Sequence, residues 1–594
     1  MRGRLRAAAT ALLLVLVVDL AATGCVSLPR SGAVRSTEVS EAVEGDTLID
    51  YTPAGPRPGA DPVPLVDAFL TSMTATPLTS HVARQFLTAA SGRSWVPEKG
   101  TVVYRGLDLR SRPDGSVQVL LRGVVELDDR GTWLGDPTGG DGHDYRLRLA
   151  RQDGQWRILD PPDRLLVPRS HFDTQYQQAL IYFFDPTGRV LVPEPVYVPR
   201  GRQAPTMMVS ALLKGPEPYL GGVERTFLPD GARLDGISVP VSGSGTAEVP
   251  LSAQLLEVGD RQLRLLSAQL AWTLGQVPSV ERVRVTVAGT PVDLPGDGKD
   301  AAVDAWSRHD PAVAYASTEL FGLRGGRLVT VDPSGRRQPV SGAFGALSLG
   351  LRSVAVDLLA QRTAGVTADG RRVLEAARDG APGAEPTPAA VRTVLTGTDL
   401  VAPAYDLHGQ LWLLDRTRSG ARLSVRRDDE PAVVAAPGLS GADVRALTVS
   451  RDGSRVVALV ADGERRRLLV SRVERARDGR VRRLGAAREL PLEEAAGTPV
   501  SIAWRTPDSV AVLLRPTPST SQVVVVTVDG SRVASLVGDL EPLAAAGRRV
   551  VAAPTPGTPL WVETPGGRVF GLSRTGDWTP SRPVSGLLAA TYVG

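Results

Sequence analysis

The alternation of apolar and polar positions changes period several times along this 594-residue chain, and each change marks a boundary. Arg2, Arg4 and Arg6 precede an uncharged run from Ala7 to Val18, after which Asp19 and Leu20 lead into Ala21-Ala22-Thr23-Gly24 and then Cys25. A basic start, a short apolar stretch and a small-residue exit are the grammar of an export signal. The run stops well short of the roughly 20 apolar residues that a membrane-crossing helix needs. From Val26 to about Ala60 no period is sustained, and prolines gather at 53, 56 and 58. Residues 25–60 therefore read as a tether that, extended at about 3.3 Å per residue, reaches on the order of 100 Å. The alternative is that this stretch wraps on a later domain.

Residues 61–168 pass from helical to strand period. Pro64 to Leu70 carries apolar residues at helical spacing, and Val82, Phe86 and Leu87 continue it in a second short helix. Strands follow over Val102 to Leu109, Val117 to Leu127, Tyr145 to Leu149 and Gln155 to Ile158, the last after the turn Asp153-Gly154. Two helices and a long antiparallel meander ending in Gly-x-Trp-x-Ile resemble an NTF2-like α+β cone. Such a cone can house an enzyme or serve as a ligand-free spacer or binding surface. Here it offers only His81 and His143 among scattered carboxylates. Residues 169–204 carry two apolar runs, Ala179 to Phe184 and Val190 to Val198, around the turn Asp185-Pro186-Thr187-Gly188. Pro193, Pro195 and Pro199 exclude a central strand, so this stretch is expected to be a hairpin connector.

Residues 205–295 begin with a short helix, Met207 to Lys214, that ends at Gly215-Pro216. Strands are expected at Leu234 to Val239, Thr246 to Leu251 and Val283 to Val287, with a helix over Arg261 to Gln276. On that helix Leu263, Leu266, Leu270 and Leu274 recur at spacings of three and four, which places them on one face against a sheet. The strings Leu-Leu-Lys-Gly-Pro, Leu-Pro-Asp-Gly, Ala-Glu-Val-Pro-Leu-Ser and Ser-Ala-Gln-Leu-Ala-Trp-Thr-Leu-Gly-Gln-Val-Pro resemble a small αβ GerMN domain. That family is extracytoplasmic, its function is generally taken to be binding, and its shared residues are structural. Trp272 on the helix is a contact residue or, in the plainer reading, packed. A second linker, 296–312, opens on Gly296-Asp297-Gly298-Lys299-Asp300, whose acids do not fall at EF-hand spacing.

Residues 313–594 are short β-runs between glycine-rich turns, recurring at roughly 50-residue intervals at Leu347, Ala404, Ala446 and Ile502. The unit strand–turn–strand in Leu447 to Ala458, turning at Asp452-Gly453, is matched by Ile502 to Ala511. Blades of four strands cannot bury their faces alone and repeat in this way, so a β-propeller is expected, with six blades at about 45 residues each or seven if short. A pair of β-sandwiches is the alternative, without a reason for the recurrent Asp-Gly turn.

Charge narrows the functional classes. The formal net charge is +4, and loss of residues 1–24 with three arginines and one aspartate leaves +2. Basic residues are almost all arginine, with lysine only at 99, 214 and 299, and they are balanced by carboxylates. The basic stripe with interleaved aromatics expected of a nucleic-acid binder is missing. Cys25 is the only cysteine, so the folded part has no disulfide and no thiolate metal site. His81, His143, His171, His309 and His408 are dispersed with no metal-ligand spacing. No Gly-x-Ser-x-Gly elbow and no phosphate-cradling glycine loop is present. Catalytic, cofactor-binding and metal residues are therefore expected to be none.

The residues before Cys25 resemble a bacterial lipobox, in which the cysteine thiol is acylated and the preceding peptide bond is cut. An ordinary secretory signal with an incidental cysteine is the alternative. The order of lipobox, tether, NTF2-like α+β domain, GerMN-like αβ domain and C-terminal all-β propeller resembles the actinobacterial LpqB lipoprotein family along the whole chain. The resemblance implies a lipid anchor at Cys25 on the outer face of the cell membrane. It also implies contact with the extracellular domain of the sensor kinase MtrB, tuning the MtrA response regulator in cell-wall homeostasis and division. The rival is an envelope carbohydrate-binding protein or glycan-processing enzyme with its site on the propeller.

Overall fold

The computed structural model describes residues 50–594 apart from 137–138, 141, 217–221, 297, 333, 381–384, 429, 493–496, 532, 535–540 and 574. Cys25, with the predicted lipid attachment, lies outside the described residues. The N-terminal domain opens with three short helices, Pro62–Ser72, His81–Arg84 and Ala89–Ser94. Pro62 is tolerated in the first because a first-turn N–H has no intrahelical partner to lose. Leu65, Val66, Phe69 and Leu70 give that helix its buried face. Phe69 meets Phe86 and Trp95 at ring-centroid distances of 6.2 and 5.7 Å, in one core with Val102, Val117 and Val119.

Three sheets form most of the rest of this domain among the described residues. One orders the strands Trp133–Gly135, Val125–Leu127, Thr101–Tyr104 and Leu165–Pro168, another Gly106–Ser111, Val117–Arg122 and His143–Leu147, and the third pairs Leu149–Gln152 with Gln155–Ile158. Each long strand read from the sequence is thus two, broken at Arg105 and at Gly123. Gly123 has φ +58°, a conformation open to glycine at little steric cost, and there the chain crosses from one sheet to the other. Thr101–Tyr104 pairs in parallel with Leu165–Pro168, so the expected antiparallel meander is incomplete.

The hairpin Tyr176–Phe184 and Leu191–Pro199 pairs over nine residues. The Asp185 carboxylate fixes its turn by accepting from the N–H groups of Thr187, Arg189 and Val190. Odd-numbered residues of the second strand aim their N–H away from the partner, as Tyr197 does in donating to the Gly131 carbonyl at 2.8 Å. Pro193, Pro195 and Pro199 share that parity, so they remove no ladder hydrogen bond. The hairpin is more than the connector expected. Ile181, Phe183, Val196 and Val198 join one core with the helices Ala204–Leu213 and Asp260–Leu274. Two nine-residue apolar strands have too much surface to leave wet, and the adjacent helices cover it.

In this αβ layer Leu263, Leu266, Leu270 and Leu274 are buried along one helix face. The strands Thr246–Pro250 and Arg282–Val287 run parallel beside it. The expected strand over 234–239 does not form. Only the isolated pairings Leu234 with Leu251 and Val241 with Ala247 occur, because Asp235-Gly236 and Pro240 interrupt the run. The segment expected as a second linker also packs here: Ala301–Ala302 pairs with Arg282–Val287 and Trp306 is buried in the same core. Trp272 is half-buried, edge-on to Tyr182, and donates to the Trp306 carbonyl at 3.1 Å.

Among the described residues the C-terminal region is a ring of six blades. Five are continuous in sequence, at residues 351–396, 404–433, 443–490, 498–534 and 549–580. The remaining blade combines Leu320–Arg324, Arg327–Val331 and Arg337–Pro339 with the last strand, Leu588–Thr591. Recurrent turn aspartates have a mechanical role. Asp357, Asp406, Asp452 and Asp529 each accept backbone N–H groups from residues two to five further on.

Candidate functional site

The five histidines do not assemble into a metal site, and no cluster of three or more His, Cys, Asp or Glu side chains suited to a metal occurs among the described residues. His81 is exposed and His171 half-buried. His143 Nε2 lies 2.7 Å from Glu126 Oε1, while Arg164 binds the other oxygen of that buried carboxylate. Beside this trio burial pushes up the Tyr145 hydroxyl, and a shallow hollow of about 390 Å³ lies against Tyr145, Arg164, Lys99 and Asp163. Lys99 and Asp163 close on each other at 2.6 Å. Sequence distance hid the trio, whose members lie at 126, 143 and 164 on three strand ends and loops. The loop at 296–300 offers no free acid among its described residues, since both Asp300 oxygens bind Arg284 at 2.6 and 2.8 Å.

His309 and His408 both converge on the hairpin turn. His309 Nδ1 lies 2.8 Å from the Arg189 carbonyl, and His408 Nε2 lies 3.6 Å from Asp185. Burial lowers the proton affinity of each ring. This turn belongs to a junction where the αβ layer meets the propeller through buried charge. Glu194 on the hairpin takes Arg455 at 2.5 Å and a two-pronged contact from Arg472 at 2.7 and 2.8 Å. Arg455 also donates to the Pro193 carbonyl. Those two guanidiniums overcome the cost of burial and hold the Glu194 carboxyl well below its ordinary range. Glu224 sits against the same cluster, where burial first and the Glu194 charge second push its carboxyl well above the ordinary value. Nearby, Asp406 binds Arg475 at 2.5 Å and Trp412 Nε1 at 2.9 Å.

The third feature is the propeller channel, a cavity of about 470 Å³ that takes wall residues from all six blades. Six arginines contribute to it, at 352, 416, 445, 451, 548 and 549, and no aspartate or glutamate side chain does among the described residues. Its aromatics among the described residues are Trp504 and Tyr592. Arg451 closes one end, donating to the carbonyls of Ala312 and Val593 and to Thr555. Burial brings its guanidinium down to about 10, so it stays charged at neutral pH. No helix among the described residues is long and apolar enough to cross a membrane.

Three family models match the chain. "Lipoprotein LpqB, N-terminal domain" matches residues 55–173, "Sporulation and spore germination" matches 180–293, and "Lipoprotein LpqB beta-propeller domain" matches 326–557. The second of these begins inside the hairpin, in keeping with its place in the αβ core. Among curated proteins the chain is 28% identical to "Lipoprotein LpqB" of Thermobifida fusca, covering 88% of this chain and 90% of that one. It is 29% identical to the protein of the same name from Mycolicibacterium smegmatis, covering 84% and 86%. Among solved structures, the tandem GerMN domains of the sporulation protein GerM from Bacillus subtilis match at 19% identity and TM-score 0.18, over 22% of this chain and 45% of that one.

Proposed function

Because this chain belongs to the LpqB lipoprotein family, we propose that it is a membrane-anchored accessory protein held by lipidated Cys25 on the extracellular face. There it binds the extracellular domain of an MtrB-like sensor histidine kinase and modulates two-component signalling for cell-wall homeostasis and division. The relatives are named as lipoproteins and not as enzymes. The observation that carries binding over its glycan-processing rival is the channel wall. Glycoside hydrolysis ordinarily needs two carboxyl groups about 5 to 10 Å apart, and the described wall supplies arginines, hydroxyls and apolar residues with no aspartate or glutamate. The carboxylates of the junction and of the N-terminal trio are already held by arginine.

Anchoring also sets the strength of contact the reading requires. Two partners held at one membrane meet at an effective concentration that approaches mM, so an affinity on the order of μM suffices. The test is a titration of residues 41–594, one compact unit, against the MtrB-like extracellular domain by calorimetry, beside a screen on cell-wall glycans. Saturable binding without glycan turnover is expected. Glycan cleavage with no kinase binding at hundreds of μM, taken as about 100-fold above the expected affinity, overturns it.

A further inference from the structure

The arginines of the propeller channel are not evenly distributed along it. Arg451 plugs the end near Ala312. The other five gather at the opposite mouth: Arg352, Arg445 and Arg549 lie near the start of inner strands of three blades, Arg548 just before one, and Arg416 joins them from a neighbouring strand. Three described carboxylates pair with these five, none of them in the wall. Asp399 takes both Arg352 and Arg416, Glu563 takes Arg548 at 3.2 Å and Arg549 at 3.9 Å, and Asp443 takes Arg445. Positive charge therefore exceeds negative at this mouth. The arginines line the cavity, and Asp399, Asp443 and Glu563 do not. Between mouth and plug the wall mixes the apolar Val354, Leu447, Ile502 and Val550 with the hydroxyls of Ser353, Thr448 and Ser501.

We propose that this channel is a binding site for a small multivalent oxyanion, carrying phosphate or carboxylate groups, that enters at the arginine mouth. Three physical points support it. A cleft of one charge sign with low-dielectric walls concentrates the field and raises the local concentration of counter-ions. Guanidinium presents two N–H donors in the plane that matches a phosphate or carboxylate edge. The volume falls in the range of small-molecule sites, about 300 to 1,000 Å³, with room for a ligand that spans arginines on separate blades. A monovalent ion would reach one side of the mouth only, whereas several charges on one molecule answer several blades at once. Anion binding here does not require the kinase contact, so either can fail without the other.

The test is calorimetry on the full lipidated chain in detergent micelles, with tripolyphosphate in one arm, citrate in a second and glucose as the uncharged control. Saturable binding of at least one anion, weakening as salt is raised, is expected, and which arm binds identifies the oxyanion. Arg445 and Arg548 are the variants of choice, since their side chains are 45% and 44% exposed and their loss does not hollow a core. The double variant Arg445→Ala, Arg548→Ala should weaken binding by about tenfold or more, the loss expected when charge-assisted hydrogen bonds are removed. Arg445→Lys should retain binding better than Arg445→Ala, and Arg110→Ala on the N-terminal domain should leave it unchanged. Circular dichroism and the melting temperature check that each variant folds. No saturation with either anion by about 10 mM, equal binding of glucose, or unchanged affinity in the folded double variant overturns the proposal.

Discussion

Glu224→Gln separates two accounts of the charge cluster that joins the αβ layer to the propeller. Glu194 is ionised between Arg455 and Arg472, and Glu224 beside it is held protonated by burial and by that neighbouring charge. In the unfolded chain Glu224 reverts to its ordinary value of 4.5. A carboxyl whose folded pKa is raised contributes stability that is full below the unfolded pKa and is lost as pH rises toward the folded one. The loss is about 1.4 kcal/mol for each pH unit in which unfolded Glu224 has released its proton and folded Glu224 has not. Glutamine cannot ionise and has no such loss. Urea unfolding of residues 41–594 between pH 4 and 7.5, followed by tryptophan fluorescence, should place the variant near the wild type at pH 4. Above that it should be the more stable protein, with the gap widening by up to about 1.4 kcal/mol per pH unit. Glu194→Gln should do the reverse at pH 7, costing about 3 to 5 kcal/mol because the buried Arg455 and the half-buried Arg472 lose their ionised partner. A Glu224→Gln protein less stable than the wild type at pH 7 by more than about 1 kcal/mol would mean that both carboxylates are ionised and would refute the assignment.

Other outcomes are accessible with single substitutions. Leu270→Ala should cost about 2 to 5 kcal/mol in the same assay, since the residue is wholly buried between helix and sheet; a loss under about 0.5 kcal/mol would contradict that packing. Gly420→Ala should destabilise by more than about 1 kcal/mol, because the added Cβ would lie 2.0 Å from the Gly441 carbonyl oxygen at a φ of +96°; thermal denaturation reads it. Cys25→Ser should abolish lipidation and leave the chain either released or uncleaved, and detergent partitioning of a cleaved, still membrane-bound variant would contradict the anchor.

The sequence carried the periodic elements best, because periodicity is a local property. The leucines at 263, 266, 270 and 274 lie on the buried helix face as their spacing implies, and the recurrent turn motif sits between propeller strands. Failures came where a long-range partner decides. Nothing local says that a proline-rich hairpin at 176–199 supplies the wall of the next domain, or that Trp306 leaves its linker to enter the same core. The charge clusters were least legible of all. Glu194 meets Arg455 and Arg472 across more than 250 positions, and the five arginines of the channel mouth come from four blades with no shared motif. Arginine is so abundant in this chain that its functional members carry no compositional mark.

The blade built from both ends of the ring imposes an order of events on biogenesis. Phe321 pairs with Thr591, so the strand Leu320–Arg324 has to wait for nearly the entire ring to be synthesised before its neighbour arrives. Until then it presents an open edge, the kind of surface on which chains aggregate, and the closing contact bears the largest loop entropy of any strand pairing in the ring. Ring closure should accordingly be late and slow relative to the formation of the five continuous blades. In that interval the chain would be most open to proteases and most in need of a chaperone.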